Sequence, residues 1–368
     1  MFIEIHMLQN FAPSNLNRDD TGNPKDTEFG GARRARISSQ CIKRAIRSEK
    51  VFTEKTSVEP GVRTRWMNRL LADALKAAGK EETLAQAVAD AVAVQYSKMD
   101  KGHTSVLLYL SNQEIAAIKE QLLAKWDEVV ASLKDGKSPV IDAIAKDLFK
   151  LLRDRTGAPD IALFGRMLAE KPELNIDAAC QVAHAISTHR VSMDMDFYTA
   201  VDELSRDDES GAGMMGVTAF NSACFYRYAR IDWDLLVKNL GGDNALARKT
   251  VEGFLLATLR AVPTGKQNSF AAQNPPDFVL GVTRKDGESW SLANAFEKPV
   301  KPGKDGGYLT HSIEELDKYW GRLVKAYGDG DFTPSALVLD EAAPLNNLKG
   351  AAKNSRKEWV ESLLAGLE

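Results

Sequence analysis

Cysteine is scarce in this sequence. The 368 residues include three cysteines, Cys41, Cys180 and Cys224, which stand far apart along the chain. An odd number at such spacing forms neither a disulfide framework nor a Cys-x-x-Cys zinc site. The sequence therefore predicts a protein of a reducing compartment, and we expect it in the cytoplasm.

Long apolar runs are also lacking. No window approaches the ~18 consecutive apolar residues that indicate a transmembrane helix, so we expect no membrane partner. Hydrophobic residues make up 44% of the chain and charged residues 27%. At roughly 150 residues per domain, this length predicts about two globular units or one elaborated domain.

Motifs for catalysis and for cofactors are missing as well. There is no P-loop, no G-x-G-x-x-G after a strand, no H-E-x-x-H, no G-x-S-x-G and no RNP pattern. Histidine occurs five times, and His184 and His189 stand five residues apart, which is poor spacing for one metal ion. We therefore expect no metal, no other cofactor and no catalytic residue.

Charge is distributed unevenly. The net charge is −3, yet residues 25–50 hold eight basic and three acidic residues, a local +5. Residues 194–209 hold seven acidic residues and one arginine. This acidic segment leaves open metal-dependent phosphodiester cleavage, although a solvated hairpin edge is the favoured interpretation. The overall charge excludes a uniformly basic nucleic-acid surface but not a local basic track.

The basic segment contains a helix with one cationic face. Ser38 or Ser39 is a good N-cap for a helix that runs to about Lys50. Gln40, Lys43, Arg44 and Arg47 follow at i, i+3, i+4 and i+7, with isoleucines on the other side. Free N–H groups at a helix start, next to lysine and arginine, favour phosphate. The pattern indicates a site for an RNA or DNA backbone, with an ordinary solvated helix face as the alternative.

The remaining patterns indicate an α+β fold. Phe2–Leu8 predicts a strand, and the Asn-, Asp- and Gly-rich stretch up to Arg36 predicts a long loop. Helical periodicity runs from about Arg63 to Leu152. Two strands around an acidic, glycine-punctuated tip predict a protruding hairpin near residues 192–230. Other expected strands cover 160–164, 178–191 and 277–283, and other expected helices cover 233–240, 244–261, a segment opening at Ser312 and the end of the chain.

Several motifs together resemble one family. Residues 16–20, 25–26, 29–31 and 34–45 carry LNRDD, KD, FGG and RARISSQCIKRA. Further matches are ALFGRM at 162–167, DFYTAVD at 196–202, FYRY at 225–228, VP with KQ at 262–267 and ANAFEK at 293–298. In this order they resemble the CasC backbone subunit family of the type I-E CRISPR Cascade. The match is weakest over the helical residues 63–152.

The resemblance implies a right-hand architecture within the α+β class. A palm of modified RRM (ferredoxin-like) fold would comprise residues 1–58, 159–191 and 225–368. Helical fingers would be inserted at 59–158, and a β-hairpin thumb would span 192–224.

The resemblance also implies a function. Copies of the chain would polymerise along a guide crRNA, flip bases out at regular intervals and present the rest for pairing with target DNA, together with other Cascade subunits. Two alternatives stay open. One is a metal-dependent RNase of the same superfamily that uses Asp194 or Asp196, and the other is a scaffold protein without nucleic acid.

Site residues are implied residue by residue. The contacts to the RNA backbone would come from Arg18, Lys25, Ser38, Gln40, Lys43, Arg47, Lys266 and Lys301. The wedge at the flipped base would comprise Met167, Tyr198, Thr199 and Met215. The finger loop that meets DNA in the family corresponds to Lys134 and Lys137. We also hypothesise that the acidic hairpin flank, with Asp207 and Asp208, docks on the basic surface of a neighbouring copy.

Overall fold

The fold is described from a computed structural model of the chain. The structure describes residues 1–134, 136–201, 212–285, 288–328, 330–340 and 342–367. The acidic residues Asp207 and Asp208, on which the docking hypothesis rests, lie outside the described residues.

The described residues form helices and strands that alternate irregularly along the chain. The helices are α1 (Ser39–Ser48), α2 (Lys50–Thr56), α3 (Met67–Ala77), α4 (Glu82–Tyr96), α5 (Asn112–Ala124), α6 (Trp126–Ser132), α7 (Pro139–Leu152), α8 (Pro159–Phe164), α9 (Trp233–Asn239), α10 (Asn244–Arg260), α11 (Gln267–Phe270), α12 (Leu309–Tyr327) and α13 (Arg356–Leu364). The strands are β1 (Phe2–Ser14), β2 (Asp26–Phe29), β3 (Ala32–Ile37), β4 (Val62–Thr64), β5 (Met99–Asp100), β6 (His103–Thr104), β7 (Leu108–Leu110), β8 (Cys180–Val182), β9 (Ala185–Ser187), β10 (Asp194–Val201), β11 (Ala212–Asp232), β12 (Phe278–Arg284) and β13 (Phe332–Val338).

The chain folds into two compact units. The first comprises Met1–Phe52, Gln181–Ile231 and Val251–Glu368, and the second comprises Thr53–Cys180 and Asp232–Thr250. The first unit is built on a sheet and the second on helices, so the α+β class predicted from the sequence is confirmed.

The first unit is organised by one sheet in the order β13-β12-β1-β11-β9-β3-β2, with β8 and β10 also paired to β11. Side chains of β1 alternate between its two faces, as the strand geometry requires. Ile5 and Met7 line a small cavity with Ile42 and Ile46 of α1, so α1 covers this face. Leu8 belongs to the core formed with Ile313 and other residues of α12 on the opposite face.

The second unit has a helical core of its own. Apolar side chains of α3, α4, α5 and α7 pack together with Leu108 and Leu110 of β7. A buried ion pair between Arg166 and Glu114, 2.5 Å apart, lies in the same unit. Glu114 also closes the capping box at the start of α5, because its carboxylate accepts the Ser111 N–H at 2.7 Å.

Several local predictions are confirmed. Helix α1 begins after Ser38 as its N-cap, and the capping box at Ser111 opens α5 as predicted. The helical periodicity of residues 63–152 corresponds to α3–α7, although short strands also lie there. The paired strands β10 and β11 form the predicted hairpin.

The long loop predicted up to Arg36 is wrong in part. Strand β1 continues to Ser14, and β2 and β3 form a tight hairpin with Phe29 opposite Ala32. Gly30 and Gly31 connect them with φ of +60° and +66°. Positive φ at both central residues is the signature of a type I′ turn, which Gly-Gly favours. The Gly-Gly pair is therefore a sequence signal for this hairpin, which the prediction of a loop did not use.

Other corrections concern element type and boundaries. The strand predicted over 160–164 is the helix α8, which Pro159 opens at its first position and Gly165, with φ of +77°, ends. The strand predicted over 178–191 is divided into β8 and β9. Helix α12 begins at Leu309 rather than Ser312. Strand β13 was not predicted.

Candidate nucleic-acid interface

The start of α1 is shaped by a junction between strand and helix. Strand β3 ends at Ile37, and Ser38 has extended backbone angles before the helix begins. The Ser38 hydroxyl accepts the Cys41 N–H at 3.3 Å. Among the residues that the structure describes, no acceptor faces the N–H groups of Ser39 and Gln40. The junction therefore presents free backbone donors at the positive end of the helix dipole.

Helix α1 is amphipathic in the predicted register. Ile42 and Ile46 are buried against the sheet. Gln40 and Arg44 are exposed, and Lys43 and Arg47 are partly exposed. The predicted cationic face therefore lies on the side of the helix away from the sheet.

Asn17 ties two predicted contact residues together. Its Oδ1 accepts the Ser38 N–H at 2.8 Å, and its backbone carbonyl accepts the Lys25 N–H at 2.8 Å. Lys25 is thereby held beside the start of α1 and is partly exposed. Sequence reasoning did not select Asn17, because an asparagine in a polar loop has no periodicity that reveals which backbone groups it will reach.

A polar cleft of about 710 Å³ lies beside this junction. Arg18 and Arg44 line it, together with Asp19, Asp20 and the loop 262–265. That loop packs closely on the 15–16 backbone, since a Cβ on Gly265 would lie 2.4 Å from the Leu16 carbonyl oxygen. Lys266 follows directly, with a left-handed φ of +50°. The structure therefore brings Arg18, Arg44 and the Lys266 loop to one cleft.

Lys301 comes from a different part of the same unit. It is exposed and follows Val300, whose N–H donates to the Thr188 carbonyl at 3.0 Å. Val300 belongs to the core that α12 covers, whereas α1 covers the opposite face of the sheet. No contact in the described part of the chain joins Lys301 to α1.

The hairpin β10–β11 divides the predicted wedge residues between its two faces. Thr199 lies directly opposite Met215, so their side chains share a face. Tyr198 lies opposite Gly216 on the other face, and its ring covers that glycine: a Cβ there would lie 2.3 Å from the ring. Met214, opposite Ala200, shares the Tyr198 face.

Both faces of this hairpin expose large apolar side chains. The exposed fraction is 76% for Phe197 and 79% for Met215. The members of this exposed set are Met195, Phe197, Tyr198, Met214, Met215 and Val217. A concentration of apolar surface on one short element indicates an interaction site.

Met167 lies on a hydrogen-bonded bend in the second unit. Its side chain is 82% exposed, whereas its neighbour Arg166 is buried. Arg166 pairs with Glu114, and its backbone exchanges two hydrogen bonds of 2.9 Å with Ile176. On the other side, the Leu168 N–H donates to Asn175 Oδ1 at 2.6 Å. Met167 is therefore an exposed apolar side chain on a bend that hydrogen bonds hold on both sides.

Lys134 and Lys137 stand at a tight turn of the second unit. Their backbones exchange two hydrogen bonds of 2.9 Å, and both side chains are exposed. Two cations therefore stand next to each other on the surface of the helical unit.

One titratable group beside the candidate interface, the Cys41 thiol, has a shifted pKa. Burial raises the pKa of the half-buried Cys41 thiol, although Arg44 and Lys25 oppose this shift.

Within the described ranges, no group of three or more His, Cys, Asp or Glu side chains is arranged to hold a metal ion. No helix in the same ranges is long and apolar enough to cross a membrane.

Comparison with known proteins agrees with the sequence motifs. The family model for the CT1975-like protein matches residues 3–364. A chain of a solved structure described as "CRISPR RNA-guided surveillance complex, pre-nicking" is similar over 100% of both chains, with 34% identity and a TM-score of 0.87. A chain of a second one, "CRISPR RNA-guided surveillance complex", is similar over 99% of both, with 30% identity and a TM-score of 0.76.

No curated protein matches this sequence. The family model and the two structural matches nevertheless cover almost the whole chain. They confirm the resemblance to the CasC family of Cascade backbone subunits, and this chain belongs to the CT1975-like protein family.

Proposed function

We propose that this chain is a crRNA-binding backbone subunit of a type I-E CRISPR Cascade complex. The observation that carries the proposal is the full-length similarity, at 34% identity, to a chain of an RNA-guided surveillance complex. The cationic start of α1 and the apolar hairpin supply the two kinds of contact that such a role requires.

The right-hand architecture belongs to the same proposal. The sheet of the first unit serves as the palm, of modified RRM type, and the β10–β11 hairpin serves as the thumb. The helical core of the second unit serves as the fingers. The proposed boundaries are those predicted from the sequence.

The guide's backbone is held by charge and by donors rather than by base readout. Lys25, Ser38 and Gln40 surround the free N–H groups at the start of α1, with Lys43 and Arg47 along the helix. Arg18 and Lys266 extend the track along the cleft, and Lys301 adds a further contact. Such contacts tolerate any guide sequence and weaken as salt rises.

The guide is kinked by an apolar wedge. Flipping one base costs a few kcal/mol of unstacking, and a side chain that fills the gap offsets part of this cost. Thr199 and Met215 on one hairpin face, Tyr198 on the other, and Met167 on its hydrogen-bonded bend are the wedge side chains. Bases between successive wedges remain free to pair with target DNA.

Further copies of the chain and other Cascade subunits are the proposed partners. Repeated copies bind head to tail along one guide and form an open filament. Lys134 and Lys137 contact the DNA strand that pairs with the guide. The complex operates in the cytoplasm, and this subunit holds the guide without cutting it.

The test is to express the full chain together with a guide RNA and to examine the particle that purifies. We expect RNA to co-purify, filaments in electron micrographs, and nuclease protection interrupted at regular intervals where bases are flipped. Absence of nucleic acid from the purified protein would refute the proposal. Incubation with labelled RNA and Mg²⁺ gives intact RNA if the subunit only holds the guide, and regularly spaced cuts if it is an RNase.

A further inference from the structure

His184 lies against Arg36 at the end of β3. Arg36 lies in β3, and His184 directly precedes the neighbouring strand β9, in which Ile186 pairs with Arg36 and Ala185 pairs with Ile37. Arg36 Nη1 lies 3.1 Å from His184 Nδ1. A guanidinium can only donate, so Nδ1 is the acceptor and the ring proton of neutral His184 resides on Nε2. The His184 side chain is exposed, which leaves Nε2–H available to a partner outside the chain.

Lys25 adds a second cation to this pair. Its carbonyl accepts the Arg36 N–H at 2.9 Å, which fixes the two residues side by side. Arg36 Nε donates to the Asp26 carbonyl oxygen at 3.2 Å. The Asp26 carboxylate is occupied by Arg33, at 2.7 and 2.5 Å. Among the described residues, no carboxylate pairs with Lys25, Arg36 or His184.

The position of the cluster connects it to the start of α1. Ile37 and Ala185 form the last pair of β3 and β9, and Ser38 and His184 are the residues that adjoin this pair along the chain. Ser38 and Lys25 are two of the residues proposed above to contact the guide, and Asn17 joins them. Arg36 and His184 therefore lie next to Ser38 and Lys25, at the end of β3 from which α1 begins.

We propose that Arg36 and His184 form an additional contact to the sugar–phosphate backbone of the guide RNA, an inference that rests on the proposed function. The His184 Nε2–H donates a hydrogen bond to a phosphate oxygen, while Lys25 and Arg36 supply the positive charge. Arg36 also orients the ring, because its hydrogen bond to Nδ1 selects the tautomer with the proton on Nε2.

The ring acts as a neutral donor. Burial lowers the pKa of His184, and the charges of Arg36 and Lys25 lower it further. Protonation of Nδ1 would also break the hydrogen bond from Arg36. A neutral donor neutralises no phosphate and displaces no counterion, so its loss should weaken binding equally at every salt concentration.

The experiment measures binding of the full chain to two unrelated single-stranded RNAs over a series of salt concentrations. We expect His184→Phe to weaken binding of both RNAs about three- to tenfold, with an unchanged slope of log K against log salt. Lys25→Met should instead flatten that slope by about one. His311→Phe, at another exposed histidine of the same unit, is the matched control and should bind like the wild type.

Two further measurements separate this role from a structural one. His184→Gln keeps an N–H donor and should recover most of the lost affinity, and its thermal unfolding shows that the fold is intact. In protein labelled with ¹⁵N-histidine, the Nε2 signal of His184 should shift when RNA is added.

The outcomes distinguish failure of the His184 contact from failure of the proposed function. Wild-type affinity in His184→Phe, or a slope flattened as in Lys25→Met, would overturn the His184 contact. If Lys43→Glu still weakened binding in that case, the proposed function would stand. If the wild-type chain bound neither RNA, the proposed function itself would fail.

Discussion

The start of α1 and the β10–β11 hairpin belong to the same unit, yet they are built for opposite kinds of contact. The first offers free N–H groups and cations, with Asn17 and Ser38 holding the backbone in place. The second exposes apolar side chains, with Phe197 and Met215 more than three-quarters exposed. One surface suits a charged backbone and the other suits base faces. The difference shows that one sheet can support two surfaces of opposite chemistry, one cationic and one apolar.

The largest expected effect is a loss of unfolding free energy. It affects both regions, because the same sheet supports them. Glu4 is buried and accepts from Arg284 Nε at 2.5 Å, the Trp290 N–H at 2.7 Å and the Tyr228 hydroxyl at 2.9 Å. Glu4→Gln leaves Arg284 without its counterion, which should cost about 3–5 kcal/mol of unfolding free energy. Urea unfolding measures this loss.

The control for this prediction is Glu288→Gln, which changes an exposed carboxylate of the same unit. We expect it to unfold like the wild type. If folded Glu4→Gln protein lost only one of the two kinds of contact, the two regions would not depend on the same sheet.

Charge reversal on α1 should change the salt dependence of binding, which distinguishes this region from the hairpin. Lys43→Glu should weaken binding of every guide sequence by about 1.5–3 kcal/mol, because a charge-assisted contact is lost. The slope of log K against log salt should flatten by about one or more. Fluorescence anisotropy at several salt concentrations gives both quantities. Lys249→Glu, at an exposed lysine of α10, is the matched control, and a loss confined to particular sequences would contradict the prediction.

A substitution in the hairpin, unlike Lys43→Glu, should weaken binding without changing its salt dependence. Met215→Ser should weaken binding by about 1 kcal/mol through lost stacking, with the salt slope unchanged. 2-Aminopurine placed along the guide should report fewer unstacked bases. Met214→Ser is the neighbouring control on the other face, opposite Ala200. A larger effect in Met214→Ser would show that the methionine of the wedge is Met214, on the Tyr198 face, rather than Met215.

The smallest expected effect is a dependence of stability on pH. Burial lowers the pKa of His6 to about 3 in the folded chain, with Arg284 adding to the shift. The unfolded chain therefore takes up the proton first, so this stability is fully present above pH ~6.5 and falls as pH drops towards 3. Between pH 7 and pH 6 we expect a loss of about 0.7 kcal/mol from His6.

Unfolding in urea at the two pH values measures this dependence. His184 and His189 have lowered pKa values as well and act in the same direction. His6→Gln should therefore reduce the dependence without removing it. An unaltered dependence in that variant would show that His6 does not carry it. Since Tyr226 of β11 bonds to His6 at 2.9 Å, loosening at low pH should reach the strand that supports the hairpin.

Local patterns were sufficient for the elements that carry the site. The period of Gln40, Lys43 and Arg47, with Ser38 as N-cap, predicted α1 and its exposed face, because helix geometry fixes which residues share a side. The alternation and acidic tip predicted the hairpin. By contrast, α8 was mistaken for a strand, because a six-residue apolar run has no period of its own.

The sequence by itself determined the chemistry of this protein: a basic helix start, an apolar hairpin and a family signature spread over the whole chain. Tertiary structure decided which groups share a surface. It joined Lys25 to Ser38 through Asn17, set Arg36 against His184 and divided Tyr198 from Met215. These relations depend on strand register and on hydrogen bonds between residues far apart in the chain, and no local pattern encodes them.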